Sequence, residues 1–413
     1  MVLNIEEYTG VDDALRRVGE KLRSGRRVQT VQTKDSLGRV SAADVVSPTA
    51  VPPFPTSHMD GFAVRSEDIK GASQATPVTL RISGEVRLGV VTRRSMRNGE
   101  AFRVATGSRV PSGADTVVPA ELASVDGGLM VVTTAQESGR WVYRSGADVR
   151  KGERVLAKGQ VIRAQQVGLL LGLGLMRVRV RERTSVAVIA TGSELTDASS
   201  PRPGRVRNSH SPYFLSLIRA LGVIPVDVGI VRDDPRDVAR TIRRALRRSD
   251  FVITLGGTSV GKADVVGEAI LSLKPDLVLH GIKMDRGRVT GVAAVGGKPV
   301  LMMPGPIQGA MNAFVLFAVQ IIESLEGGVG RRLELHCRLG ESWQARKRFP
   351  DFTKVLYVRL DAGHEVAEPL EGETESIRVL SDATGYVVVP ENVTRLEKGT
   401  AVVVRLLPGF SFA

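Results

Sequence analysis

Hydrophobic and polar positions change period several times along the chain, and each change marks an element. Val11, Ala14, Leu15, Val18 and Leu22 recur at helical spacing, which predicts an amphipathic helix near the start. The stretch 47–62, SPTAVPPFPTSHMDGF, is too rich in Pro and Ser for a regular element and reads as a crossing into another domain. From about 76 to 140, short β-type runs such as TPVTLRISGEV and DGGLMVVTTA are separated by glycine-containing turns. Turn-and-strand punctuation returns around RSGADVRKGERVLAKGQVI, and RAQQVGLLLGLGL then reads as a helix.

From 185 to about 326 strands alternate with helices. SVAVIATG is a buried strand, and NSHSPYFLSLIRALG places Phe214, Leu217, Ile218 and Leu221 on one helical face with a stop at Gly222. VIPVDVGIV is the next strand, and DDPRDVARTIRRALRRSD opens with Asp234 as N-cap and Pro235 at the first helical position. DFVITLGG, PDLVLHGI and KPVLMMPG supply the third, fourth and fifth strands, and IQGAMNAFVLFAVQIIESL closes the unit as a long helix. This alternation predicts a doubly wound, mainly parallel sheet with helices on both faces. After about 328 the helical period vanishes, and TKVLYVRL, GYVVVP and TAVVVRLL predict a small, barrel-like all-β domain. The expected fold class is multidomain α/β plus β. An N-terminal α/β segment takes 1–46 with 141–183, an inserted β-rich domain 47–140, the α/β domain 184–327 and a C-terminal β domain 328–413.

Composition narrows the chemistry. At 413 residues the chain exceeds one ordinary core, and 42% hydrophobic with 24% charged residues is a globular balance. No run of about 18 apolar residues suggests a membrane span, and MVLNIEEYTG has no signal-peptide pattern. Cys337 stands alone, which removes internal disulfides and fits a reducing cytoplasm, the expected location. Five histidines and one cysteine do not make a zinc site of ordinary spacing, so a metal would be a hard cation on carboxylates and phosphate. Fifty-seven Lys and Arg against 44 Asp and Glu leave a formal charge of +13, which draws anions. The basic residues are dispersed and aromatic content is 4%, so a small phosphorylated ligand is favoured over nucleic acid.

In open α/β sheets ligands bind beyond the carboxyl ends of the strands. Three such ends carry ATGSEL (190–195), LGGTSVGKAD (255–264) and MPGPIQG (303–309). The middle one matches a P-loop at Gly256, Gly261 and Lys262, but Ala263 offers magnesium no hydroxyl and the loop follows the third strand. Glycine turns and helix N-termini instead predict an anion-binding rim shared by the three loops. Glu194, Asp233, Asp234 and Asp264 each follow a strand on that edge, and magnesium binds one or two carboxylates together with waters and substrate phosphates. Taken singly, Asp234 and Asp264 read equally well as helix caps.

PPFPTSHMDGFAVRSEDI, ATGSRVPSGADTVVPAE, GADVRKGERVLAKGQVI, VIATGSEL, VRDDP and GGTSVGKAD together resemble the molybdopterin molybdenumtransferase family, which includes the gephyrin E domain. The resemblance runs from about residue 10 to 410. It implies an enzyme of molybdenum cofactor biosynthesis that takes adenylated molybdopterin and replaces copper with the metal of molybdate or tungstate. Adenylate is then released in a magnesium-dependent step. Mapped by motif, it implies catalytic roles for Asp60 of MDGF and Thr106 of ATGS in the inserted β domain. In the α/β domain it implies them for Glu194 of TGSE, Asp233 of RDDP and Asp264 of GGTSVGKAD, these three also holding magnesium. Gly192, Gly256, Gly257, Ser259 and Gly261 are implied as contacts to the cofactor precursor. Lys283, Arg288, Pro304, Gly305 and Ser376 are implied on the cofactor and oxyanion side, with Arg348 nearby. The family is dimeric, with its site between the α/β domain of one chain and the β domain of the other. The molybdopterin adenylyltransferase is a candidate partner, and neither nucleic acid nor membrane is expected.

The departures from the family pattern are concentrated in one segment. Where the family carries P-G-K-P, this chain has GIKMDRGRVTG: Gly287 remains, Arg288 stands in for a lysine and Asp285 falls where a further lysine is common. An acid there repels an oxyanion unless Lys283 or Arg286 compensates, and an arginine fork is not equivalent to a lysine. P-G-N-P becomes Pro304-Gly305-Pro306-Ile307, and TGDE becomes Thr191-Gly192-Ser193-Glu194. Two rival readings follow: a degenerate paralogue that binds the pterin without inserting metal, and a scaffold that delivers cofactor or bridges partners. The retained Asp60, Glu194, Asp233 and Asp264 favour catalysis. No G-x-G-x-x-G follows the first strand, which argues against a dinucleotide-binding dehydrogenase.

Overall fold

A computed structural model describes residues 7–22, 27–90, 94–200, 202–258, 264–327, 333–346, 349–373 and 375–410. The chain divides into two compact units. One comprises Met1–Gln29, Gly38–Val40 and Arg181–Ala413, the other Thr30–Leu37 and Ser41–Val180. Helix α1 (Val11–Lys21) belongs to the former.

The unit built on Ser41–Val180 holds a six-stranded sheet of β1 (Gly61–Val64), β2 (Val78–Val86), β3 (Glu100–Val104), β4 (Thr116–Pro119), β5 (Ala123–Asp126) and β6 (Leu129–Val132). Its order is β4-β1-β3-β2-β6-β5, and only β2 and β3 run parallel. Side chains alternate across the sheet, so Phe62, Val64 and Val118 bury on one face and Ala63 and Val117 on the other. Further along, α2 (Ala164–Gly172) opens where the Arg163 N–H donates to Gln166 Oε1 at 3.0 Å. It buries Leu170 against Leu156, Ile162 and Val180.

The other unit is centred on a sheet of β7 (Ser185–Thr191), β8 (Ile224–Val231), β9 (Phe251–Leu255), β10 (Leu277–His280), β11 (Gly291–Val295) and β12 (Lys298–Met303), in the order β8-β7-β9-β12-β11-β10. The first four strands in that order are mutually parallel. β11, a sixth strand where the sequence predicts five, lies antiparallel between β12 and β10. Helices α3 (His210–Ala220), α4 (Pro235–Arg248) and α5 (Val265–Ser272) connect the strands. As predicted, Asp234 caps α4, accepting from the N–H groups of Arg236 at 3.0 Å and Asp237 at 2.9 Å, with Pro235 in the first turn.

Both faces of this sheet are covered. Ala187, Ile189 and Val252 pack on Val238 and Ile242 of α4 and Ala269 and Ile270 of α5. Val186, Val188 and Ile253 face the opposite core with Phe214 and Ile218 of α3. Val11, Ala14 and Val18 of α1 join that second core, so the apolar stripe of α1 finds its partners on the α/β sheet. The same core receives α6 (Ile307–Ala313), a π turn (Phe314–Ala318) and α7 (Val319–Glu326). Ile307–Glu326 is long and apolar enough to cross a membrane, with mean hydropathy 1.3, but 83% of that stretch is buried inside the fold. It is the central helix of this unit.

A closed five-stranded barrel follows, of β13 (Glu334–Leu339), β14 (Lys354–Leu360), β15 (Val366–Pro369), β16 (Gly385–Val389) and β17 (Ala401–Leu406) in the order β13-β15-β14-β16-β17. Leu339, Val358, Val389 and Val404 fill it. Tyr357 of β14 and Val379 of the short helix α8 (Ile377–Asp382) instead face the core around α6. Phe314, fully buried in the π turn, anchors that core. Phe314→Ala is expected to cost about 3–5 kcal/mol, read as a lowered denaturant midpoint with an unchanged slope.

Candidate functional site

Strand direction brings the informative loops together. β7, β8, β9 and β12 are parallel, and two antiparallel steps through β11 give β10 the same direction as β12. The segments after Thr191, Val231, Leu255, His280 and Met303 therefore leave one edge of the sheet. Backbone bonds tie neighbours there: the Gly192 N–H donates to Val231 O and the Gly256 N–H to Met303 O, both at 3.1 Å. Gly256 and Gly257 have φ of 78° and 66°, left-handed conformations that side chains resist. A Cβ on either would lie 2.8 Å from an atom of Thr191, so this turn needs glycine on both counts. Ser259 and Gly261 lie outside the described residues, as does Arg348.

The carboxylates divide into an exposed and a buried set. Asp233 Oδ2 accepts the Ser193 N–H at 2.7 Å, and the Asp233 N–H donates back to Ser193 Oγ at 3.2 Å. Glu194, the next residue, folds its carboxylate over Gly192, where a Cβ would lie 2.7 Å from Oε1. Both acids are exposed on adjoining loops. Asp264, in contrast, is buried: Oδ1 accepts the Gly267 N–H at 2.9 Å as the cap of α5, and Oδ2 lies 3.6 Å from His280 Nε2. Thr258 Oγ1 also approaches that nitrogen, at 3.2 Å, and donates to Val289 O at 3.0 Å. The Asp264 side chain is 0% exposed, with Oδ1 used as the cap and Oδ2 turned toward His280, whereas Asp233 and Glu194 are open to solvent. Among the described residues no group of three or more His, Cys, Asp or Glu is placed to hold a metal ion. Asp233 and Glu194 still fit magnesium as a partly hydrated ion shared with substrate, because two exposed carboxylates are all that such binding asks of the protein.

Lys283, Arg288 and Ser376 each have their own partners. The Lys283 ammonium sits between Asp351 at 3.3 Å and Glu391 at 3.4 Å, which raise its pKa. Arg288 stacks over the Phe349 ring at 4.9 Å. Arg286 bonds to Gln308 Oε1 of α6 and, at 2.7 Å, to the carbonyl of Gly372 in the segment after β15. Arg346 donates to the same carbonyl at 3.3 Å. Burial, and then the like charge of Arg346, press the Arg286 pKa below the usual guanidinium value. Gln308 Nε2 in turn donates to Ser376 O at 3.2 Å. Asp285 Oδ1 accepts the Arg286 N–H at 3.0 Å, and Pro304 and Gly305 lead from β12 into α6. Sequence reading missed Arg346, Gln308 and His280. Only Gln308 left a signal, as an amide inside an apolar helix.

In the other unit, antiparallel pairing of Gly61 with Val104 places the residue before β1 beside the turn after β3. Asp60 Oδ1 consequently accepts both the Thr106 N–H at 2.7 Å and the Thr106 hydroxyl at 2.9 Å. These bonds, the backbone one first, hold the exposed Asp60 carboxyl below the usual aspartate range.

Comparison with known proteins extends over nearly the whole chain. Residues 9–174 match the family described as MoeA N-terminal region (domain I and II), residues 187–324 the probable molybdopterin binding domain and residues 336–407 the MoeA C-terminal region (domain IV). Molybdopterin molybdenumtransferase 2 of Mycobacterium tuberculosis is 32% identical over 405 residues, which cover 94% of this chain and 97% of that protein. Two solved structures of molybdopterin biosynthesis MoeA protein from Pyrococcus horikoshii superpose with TM-scores of 0.87 and 0.84 at 29% and 25% identity. They cover 98% and 97% of this chain and 100% of each neighbour.

Thr106→Val removes the hydroxyl and keeps the backbone donor. It is expected to move the Asp60 titration upward, part of the way to an ordinary aspartate, as measured by carboxyl-carbon NMR.

Proposed function

This chain belongs to the molybdopterin molybdenumtransferase family, and we propose that it transfers the metal of molybdate, or of the like-shaped tungstate, to molybdopterin presented as an adenylate. It is a transferase of molybdenum cofactor biosynthesis. The observation that supports the finer reading is a sorting of charge: exposed Glu194 and Asp233 follow β7 and β8, while Arg286 follows β10 and meets Arg346. Carboxylates suit a metal-bridged phosphate, and guanidinium forks suit a tetrahedral dianion.

Magnesium, when bound, supplies charge neutralisation for the phosphate oxygens of the adenylate. Asp233 would hold it through Oδ1, with Ser193 fixing Oδ2, and Glu194 would contribute from the adjoining loop. Asp264 acts by position instead: it starts α5 and packs its second oxygen against His280. Asp60, kept ionised by Thr106, is suited to orienting a water or a cation. The protein therefore aligns and neutralises, which is what cleavage of a phosphate linkage chiefly requires. A homodimer is part of this proposal and is tested by sedimentation.

Purified protein given adenylated molybdopterin, magnesium and either oxyanion is expected to release adenylate and load metal into the pterin, and chelation of magnesium to stop both. Pterin binding without adenylate release would overturn the proposal. Two neighbouring acids separate site from scaffold. Asp233→Asn is expected to slow release on the order of a hundredfold with stability retained. Asp234→Ala, which removes the α4 cap, should lower stability by about 1 kcal/mol and leave turnover in place.

A further inference from the structure

Helix α6 is apolar in composition yet buries two amides, Gln308 at 0% and Asn312 at 2% exposure. Both face the Asp285–Arg286 turn. Asn312 Nδ2 donates to the carbonyls of Asp285 and Arg286, each at 3.0 Å, and its Oδ1 accepts from the Tyr357 hydroxyl of β14 at 2.7 Å. Gln308 joins the Arg286 guanidinium to Ser376 O. One amide thus holds the backbone of the turn, and the other ties its side chain to Ser376.

The turn needs holding. Arg286 has φ of 47°, in the left-handed region that L side chains avoid. Such conformations persist where the surroundings over-determine them. Here the determinants are the paired Asn312 bonds and the closeness of α6, since a Cβ on Gly309 would lie 3.3 Å from the Arg286 carbonyl oxygen. Burial raises the Tyr357 pKa well above 10, so its hydroxyl remains a donor at any working pH.

Held this way, Arg286 meets Arg346 on the single carbonyl of Gly372. Two cations on one neutral acceptor repel, and among the described residues Asp285 and Glu373 are the acids set against Arg286. Glu373 is 3.7 Å from Arg346 but 90% exposed, and Asp285 Oδ1 is engaged by the Arg286 N–H. A compact dianion supplies the missing charge and matches the guanidinium forks.

We propose that Asn312 is the positioning residue of an oxyanion seat whose donors are the Arg286 and Arg346 guanidinium groups, beside Gly372, with Tyr357 fixing the Asn312 amide. The seat takes its dianion, molybdate or tungstate, from the function proposed above. Asn312→Leu keeps the size of the side chain and removes the amide; adding Tyr357→Phe removes the hydroxyl that the first change strands. Calorimetric titration of the full chain with molybdate, thermal unfolding, and KM for adenylated molybdopterin are compared across both variants. The single variant is expected to lose thermal stability and to bind molybdate about tenfold more weakly or worse. The double variant is expected to regain stability yet stay weak for molybdate, with KM for the pterin unchanged. Molybdate affinity that returns with stability would make Asn312 purely structural and overturn the inference. Unaltered affinity in the single variant would do the same and leave the functional reading standing. Wild-type protein that binds neither molybdate nor tungstate would overturn the functional reading itself, and the seat with it.

Discussion

Strand direction is the constraint from which the chemistry of this protein follows. Parallel β8, β7, β9 and β12 send their following segments out of one edge, and the antiparallel insertion of β11 returns β10 to the same sense. Register matters as much as direction. The apolar sets on the two faces of β7, Val186 and Val188 on one and Ala187 and Ile189 on the other, are both buried. A slip of one residue would exchange them between helices of different shape. The position of Ser193 beside Asp233, and of Gly256 against Thr191, is inherited from that packing.

Much of this fold was legible because its signals are local. The helical spacing of Val11, Ala14 and Val18, and the Asp234-Pro235 start of α4, need only their neighbours to be understood. What α1 packs against was not legible, since an apolar stripe does not name its partner. β11 escaped because GVAAV is a short apolar run bounded by glycines, without alternation, and it is buried. Asp264 shows the same limit at the level of a site. A carboxylate before a helix is an equally good cap and ligand on paper, and only the fold shows that Oδ1 of Asp264 caps α5 from a buried position.

The basic residues carry a related lesson. A net charge of +13 describes attraction at a distance, but each cation acts according to what already surrounds it. Lys283 is paired with two acids and Arg288 lies over an aromatic face, surroundings that their places in the sequence did not announce. Arg286 is presented to the Gly372 carbonyl from a left-handed turn that no sequence pattern announces. Asn312 and Gln308 were the available hint, two amides at positions where the rest of the helix is hydrocarbon.

The π turn at Phe314–Ala318 has a consequence for how the length of this protein can drift. A wide turn takes up one residue more than an α-helix does over the same rise, so the helical segments on either side stay in phase despite the extra residue. Removing one residue there would restore ordinary α geometry and leave Asn312 and Ile321 on the faces they now occupy, with only a packing defect to absorb. Adding one would swing α7 by about 100° relative to α6 and carry Ile321 and Ile322 out of the core. Shortening, rather than lengthening, is the change of length that the centre of this helix can accommodate.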